Sequence, residues 1–98
     1  MHSTVDAASL DVALAGELDM AAAFRLESEF ERLLATPGID GVVLDLADVS
    51  FLDSAGLGAL LSIGEQARRL GLDVRTARMS APVRRILEAT ATRSALGA

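Results

Sequence analysis

The alternation of strand and helix patterns is the feature that most constrains how this chain can fold. Residues 42–46 form a short run, Val-Val-Leu-Asp-Leu, that is apolar at nearly every position, which is typical of a central strand covered on at least one face. One segment with helical spacing precedes this run and another follows it. Because parallel strands need a crossover connection, this alternation favours an α/β fold with helices packed against a small, mostly parallel sheet.

The first part of the chain predicts two further strands. Residues 9–15 alternate apolar side chains with others at the period of a half-buried strand, and Gly16 is expected to end it. Thr4 and Val5 are expected to form a short preceding strand. With residues 6–9 turning between them, these two strands could pair as a hairpin.

Three segments have the spacing of amphipathic helices. The first follows Asp19, a suitable N-cap, and ends at residues 36–38, Thr-Pro-Gly. Its apolar residues recur at helical spacing and are Ala23, Leu26, Phe30, Leu33 and Leu34. The second runs over residues 54–70, and Gly71 is its expected C′ residue. The third begins near Ser80 and carries a proline in its first turn, where a missing N–H costs nothing.

The remaining strand pattern lies at residues 72–76, so the predicted order is ββαβαβα. We expect one domain over residues 1–98, with a mixed sheet of four to five strands around one core. Residues after Thr90 are small, polar and poorly patterned. The large rings of the core are expected to be Phe24, Phe30 and Phe51.

The composition excludes most kinds of catalytic residue. The chain has no cysteine, and its nine basic residues are all arginine, so thiolate metal sites, a cysteine nucleophile and a lysine Schiff base are excluded. The single histidine, His2, lies beside the N-terminus. We therefore expect no enzymatic activity, no metal and no cofactor.

Charge and hydropathy limit the partners. A net charge of −5 and a pI near 4.6 disfavour binding to a phosphate backbone. The N-terminus lacks the pattern of a secretory signal, and the apolar runs fall short of the roughly 18 residues that span a bilayer. We expect a cytoplasmic protein without membrane insertion and without a direct nucleic-acid partner.

The segment most open to chemistry is residues 49–58, where an apolar run ends at Asp53 and Ser54 and an Ala/Gly/Leu-rich helix begins. Two interpretations of Ser54 remain open on the residues alone. Either Ser54 or Asp53 is expected to be the N-cap of this helix; as the cap, the Ser54 hydroxyl would satisfy a free backbone N–H, which is what most hydroxyls at helix starts do. As a phosphoacceptor, Ser54 would carry a phosphate dianion that the helix dipole tolerates and that a partner protein can recognise.

Two enzymatic interpretations of the same region are disfavoured. A serine hydrolase needs the pattern G-x-S-x-G and a histidine base, and Ser54 has neither. Paired-carboxylate chemistry is a second possibility, but caps and turns explain acids near element ends more simply, and no metal-ligand spacing is present. The acids weighed for it are Asp19, Asp45, Asp48 and Asp53.

Three segments together resemble the STAS domain of bacterial anti-sigma factor antagonists. They are residues 16–19 (Gly-Glu-Leu-Asp), the strand at 42–46, and residues 49–58 (Val-Ser-Phe-Leu-Asp-Ser-Ala-Gly-Leu-Gly). The resemblance extends over about residues 10–90. Because linked motifs occur in the right order with the matching pattern between them, the combination is more specific than any motif alone.

The resemblance implies a switch. In that family, the serine directly after the aspartate is phosphorylated by a serine kinase that is also an anti-sigma factor; the unphosphorylated antagonist binds this kinase and releases the sigma factor, and a phosphatase resets the system. Ser54 is then the phosphoacceptor. Asp19 is expected near it as a kinase contact, with Asp53 as a loop-shaping and contact residue. The implied docking surface also includes Ala55, Gly56, Leu57 and Gly58.

Two departures and one alternative accompany this resemblance. Ala55 occupies a position where many relatives carry a second hydroxyl, so Ser54 is the only candidate acceptor in the loop. The chain also ends soon after Thr90, where relatives often continue. The alternative is a STAS accessory subunit that scaffolds a transporter or another cytoplasmic assembly and needs no phosphorylatable serine.

Overall fold

The computed structural model describes residues 1–98, and its elements follow the order that the sequence predicts. In chain order they are β1 (His2–Asp6), β2 (Ser9–Leu18), α1 (Met20–Leu33), β3 (Gly41–Leu52), α2 (Ser54–Arg69), β4 (Asp73–Met79), α3 (Ala81–Ala89) and a 3₁₀ helix (Arg93–Leu96). None of the helices combines the length and the apolar character that crossing a membrane requires.

The four strands form one mixed sheet in the order β1-β2-β3-β4. β1 and β2 are antiparallel, whereas β2 with β3 and β3 with β4 are parallel. The turn between β1 and β2 places Ala7 and Ala8 at positive φ, 49° and 67°, which matches the twist of a two-residue hairpin. The predicted hairpin and α/β fold are therefore confirmed.

All helices cover the same face of the sheet. The buried side chains of β2, β3 and β4 form one cluster with the buried side chains of α1, α2 and α3. On the opposite face, residues such as Asp11 and Val43 are only half-buried. The largest fully buried side chains of the core are Phe30, Leu10, Leu44, Leu46, Leu60, Ile63, Leu87 and Leu96.

Two strands are longer than the sequence predicts. β2 does not end at Gly16 but continues to Leu18, with Gly16 at φ 84° beside a shift in register. β3 continues past residue 46, where the predicted strand ends, and extends to Leu52. Each extension provides the other with hydrogen-bonding partners, as in the pairing of Leu18 with Leu52. Neither extension could be inferred from one segment by itself.

The prediction of three core phenylalanines is wrong at two positions. Phe30 is fully buried, but Phe24 is 79% exposed and Phe51 is 47% exposed. On α1 the inward stripe is formed by Ala23, Leu26 and Phe30, at helical spacing, and Phe24 lies off this stripe. Phe51 lies in the strand next to a buried leucine, and adjacent strand residues point to opposite faces.

The C-terminal segment is ordered, although its sequence has no clear pattern. Leu96 is fully buried, and its carbonyl oxygen accepts a hydrogen bond of 2.7 Å from the Thr76 hydroxyl. Gly97 adopts a left-handed conformation at φ 63°, and a Cβ there would lie 2.0 Å from the Val74 carbonyl oxygen. One leucine and one glycine thus attach the chain end to β4.

Candidate functional site

The starts of α1 and α2 lie side by side at one edge of the molecule. β2 and β3 are adjacent parallel strands, so their carboxyl ends meet at the same edge, where Leu18 pairs with Leu52. Asp19 and Asp53 directly follow these two residues. The Asp53 N–H also donates to the Leu18 carbonyl at 3.4 Å. The sheet thereby brings together two acids from distant parts of the sequence.

Both acids cap the helices that they precede. Asp19 Oδ1 accepts a hydrogen bond from the Ala22 N–H at 3.0 Å, and Asp53 Oδ1 accepts one from the Gly56 N–H at 2.8 Å. Each carboxylate satisfies one of the backbone donors that a helix start leaves free. Of the two candidates for the α2 cap, Asp53 is therefore the one that caps.

Ser54 is the first residue of α2 and has no structural task for its side chain. The residue is exposed, and its hydroxyl makes no hydrogen bond with any other group of the chain. Because Asp53 already caps the helix, the interpretation of Ser54 as an N-cap is wrong. Its hydroxyl is free at the positive end of the α2 dipole.

Gly56 allows α2 to begin where it does. It is buried, and a Cβ at this position would lie 2.1 Å from the Leu18 carbonyl oxygen and 2.8 Å from Leu52 Cδ1. The first turn of α2 therefore rests directly on the backbone end of β2. The sequence alone did not predict this packing role. The family resemblance implied only that Gly56 belongs to the docking surface.

The neighbours of Gly56 differ in their access to solvent. Ala55 and Leu57 are half-buried and pack against the core, whereas Gly58 is exposed, with no atom near its Cβ position. The freely accessible part of this helix start therefore consists of Ser54 and Gly58, with Ala55 and Leu57 partly accessible between them.

Sequence reasoning missed the apolar side chains that border this edge. Met20 is 75% exposed and Phe24 is 79% exposed, one turn apart on α1. The available signal was the position of Phe24, directly after Ala23 of the buried stripe. With the two capping acids they line one surface depression, which we call the cap groove. Its residues are Asp19, Met20, Ala21, Phe24, Arg25 and Asp53.

The other acids weighed for catalysis do not join this site. Asp45 accepts hydrogen bonds from Arg78 and from the Ala47 N–H, and the Arg78 hydrogen bond, with that of Ala47, holds the pKa of Asp45 below its usual range. Asp48 is exposed on β3, and its side chain accepts no hydrogen bond. No group of three or more His, Cys, Asp or Glu side chains is arranged to hold a metal ion.

Comparisons with known proteins add to this geometry. The family model of the STAS domain matches residues 3–94. The structure of the anti-sigma factor antagonist SpoIIAA in its unphosphorylated form is 21% identical, with a TM-score of 0.65 over 87% of this chain and 77% of that chain. SpoIIAA in its phosphorylated form, described as a Bacillus cell fate determinant, is 19% identical, with a TM-score of 0.67 over 89% and 78%.

A protein of another kind shares the same fold. The crystal structure of a sulfate transporter family protein from Wolinella succinogenes is 21% identical, with a TM-score of 0.70 over 96% of this chain and 75% of that chain. At such identities the likenesses establish a common fold. Function must then be argued from the site, because one fold can serve different functions.

Proposed function

The chain belongs to the STAS domain family, and from this membership and the geometry at the start of α2 we propose that it is an anti-sigma factor antagonist controlled by phosphorylation of Ser54. In this role, the unphosphorylated form binds an anti-sigma factor that is also a serine kinase, and the sigma factor is released. Phosphorylation of Ser54 ends the binding, and a phosphoserine phosphatase restores it. The chain acts in the cytoplasm, by exchange of partners and not by catalysis.

The observation that carries this proposal is the free hydroxyl of Ser54. It is exposed at the first position of α2, and Asp53 performs the capping that a serine in this region would otherwise supply. A kinase can therefore modify Ser54 without removing any hydrogen bond of the fold.

The position of Ser54 also explains how a phosphate could act as a signal. A phosphoserine carries a charge of about −1.5 to −2, which the N-terminus of a helix tolerates. A partner that contacts Ser54 and Gly58 in the neutral form would meet a bulky, hydrated dianion beside the Asp53 carboxylate. Binding would then be lost while the domain stays folded.

The other residues of the proposed partner surface have two kinds of task. Asp19 and Asp53 cap helices and are proposed to contact the kinase as well, because each carboxylate keeps acceptor capacity beyond its single backbone hydrogen bond. Ala55, Leu57 and Gly58 complete the contact surface. Gly56 supports it by allowing close packing.

Phosphorylation can be tested by intact mass. We expect incubation with its cognate anti-sigma factor serine kinase and ATP to add one phosphate to the wild-type chain and none to Ser54→Ala. The kinase must be active on a second substrate in the same assay. An unmodified wild-type chain under these conditions would contradict the proposal.

The binding consequence can be tested without the kinase reaction. Ser54→Asp places a negative charge at the first position of α2, so we expect it to weaken kinase binding while the melting temperature stays close to that of the wild type. Isothermal titration and thermal unfolding measure the two quantities. Unchanged binding, or a large loss of stability, would argue against the switch.

A second candidate function is a non-switching accessory subunit of a transporter or another assembly. The structural likeness to the Wolinella succinogenes protein, which extends over 96% of this chain, supports this second candidate. Such a subunit would bind its partner irrespective of the state of Ser54. The same pair of experiments separates the candidates, since only the antagonist depends on Ser54.

A further inference from the structure

The apolar surface on α1 has no role within the fold. Met20 and Phe24 are the two most exposed large apolar side chains in the chain, at 75% and 79%. They are four residues apart on a helix, so they lie next to each other on one face. We call this pair the α1 patch. Aromatic and methionine side chains are enriched in protein interfaces, where they enter pockets of the partner.

The α1 patch is continuous with the proposed phosphorylation site. Both of its residues line the cap groove together with Asp19 and Asp53. Ser54 follows Asp53 directly in the chain and is exposed at the same edge of the molecule. A kinase whose active site reaches the Ser54 hydroxyl must approach this edge, and its surface would then meet the groove.

The charged groups of the groove are also available to a partner. Each cap carboxylate uses Oδ1 for its backbone hydrogen bond, which leaves Oδ2 free to accept another. Arg25 forms none of the four ion pairs of the chain, which join other residues. The groove therefore offers acceptors, one free guanidinium and an apolar pair.

We propose that the α1 patch anchors the serine kinase that modifies Ser54, with the Phe24 ring in an apolar pocket of the kinase, next to the contacts already proposed for Asp19 and Asp53. This inference rests on the proposed function and adds a docking element outside the phosphorylated helix. The anchor holds the substrate chain in place and takes no part in phosphoryl transfer. Its loss therefore acts on binding and not on the chemical step.

A second copy of this chain is the main alternative occupant. In a two-fold contact through this face, the two pairs of cap carboxylates would approach each other. The two Arg25 side chains would offset only part of that repulsion, and each chain already carries a net charge of −5. Such a contact would also cover the edge at which Ser54 must be reached.

The test compares two exposed apolar residues at opposite ends of the helical layer. Phe24→Gln removes the anchor, and Leu70→Gln is the matched control, since Leu70 is 61% exposed at the end of α2. With a purified anti-sigma factor kinase that phosphorylates the wild-type chain, we expect Phe24→Gln to raise KM by about tenfold or more with kcat nearly unchanged. Leu70→Gln should leave both constants within about twofold.

The outcomes separate this inference from the proposed function. Wild-type KM for Phe24→Gln would overturn the anchor and leave the switch at Ser54 in place, whereas a wild-type chain that no anti-sigma factor kinase modifies would overturn both. A wild-type dimer that Phe24→Gln converts to a monomer, with unchanged KM, would assign the patch to self-association. Should Phe24→Gln melt well below the wild type, Met20→Gln provides the same comparison.

Discussion

Ser80 and Ser54 both lie at helix starts, but only the Ser80 hydroxyl makes a hydrogen bond within the fold. Ser80 is the N-cap of α3, and its hydroxyl oxygen accepts from the Val83 N–H at 3.4 Å. Ser54 lies one position further into its helix, because Asp53 occupies the cap of α2 and accepts from the Gly56 N–H at 2.8 Å. A shift of one position decides whether a serine hydroxyl belongs to the fold or is free for a partner.

The surroundings of the two helix starts extend this contrast. The start of α2 is held by the Asp53 carboxylate and by the close approach of Gly56 to the Leu18 backbone. The start of α3 relies on the Ser80 hydroxyl, together with a proline in the first turn. The α2 start is thus specified by residues on either side of Ser54, so changes at Ser54 itself should have little effect on stability.

The largest effect is expected at the close contact of α2. In Gly56→Ala, the new Cβ would lie 2.1 Å from a backbone oxygen, so the helix must shift, and we expect a loss of about 1–3 kcal/mol or more in the free energy of unfolding. Gly58→Ala is the matched control. Its Cβ position is open, so it should gain roughly 0.5–1 kcal/mol from improved helix propensity. Urea unfolding of both variants measures the difference, and equal effects would contradict the packing role of Gly56.

A smaller effect is expected from removing the α2 cap. Asp53→Ala leaves the Gly56 N–H without its acceptor, which should cost about 1 kcal/mol of unfolding free energy. Asp53→Asn keeps a capping oxygen and should retain most of the stability. Asp48→Ala, at an exposed acid whose side chain makes no hydrogen bond, serves as the control for the loss of one negative charge. Wild-type stability in Asp53→Ala would mean that Ser54 can take over the cap.

The smallest effects test the two serines directly. Ser80→Ala removes a capping oxygen at a long 3.4 Å and should cost roughly 0.5–1 kcal/mol. Ser54→Ala removes a hydroxyl that bonds to nothing in the chain, so its unfolding free energy should stay within about 0.5 kcal/mol of the wild type. Chemical denaturation of the pair decides the comparison. The reverse order would assign the structural role to Ser54.

Local patterns were sufficient to predict the element order and the helix caps. The spacing of Ala23, Leu26 and Phe30 predicted α1, and Asp19 marked its start. The α2 cap was narrowed to two neighbouring residues, Asp53 and Ser54. These features depend on residues within a few positions of one another, so they can be recognised in a single segment.

Other features depended on contacts between distant segments. The continuation of β3 to Leu52 requires β2 as a hydrogen-bonding partner. Phe24 is a different case, because its position directly after Ala23 of the inward stripe already directs it outward, so its assignment to the core was an error of local reasoning. The buried position of Leu96 requires the Thr76 hydroxyl and the Val74 backbone, which no pattern near the chain end reveals.

The sequence by itself determined which segments become strands and helices, which residues can cap them, and that Ser54 has few chemical roles open to it. Only the tertiary structure decided that the Ser54 hydroxyl is free, that Gly56 must be a glycine, and that Asp19 and Asp53 line one groove with Phe24. The physical reason is the parallel pairing of β2 with β3. It aligns the ends of two strands far apart in the chain, and the contacts made there depend on that alignment and not on either segment alone.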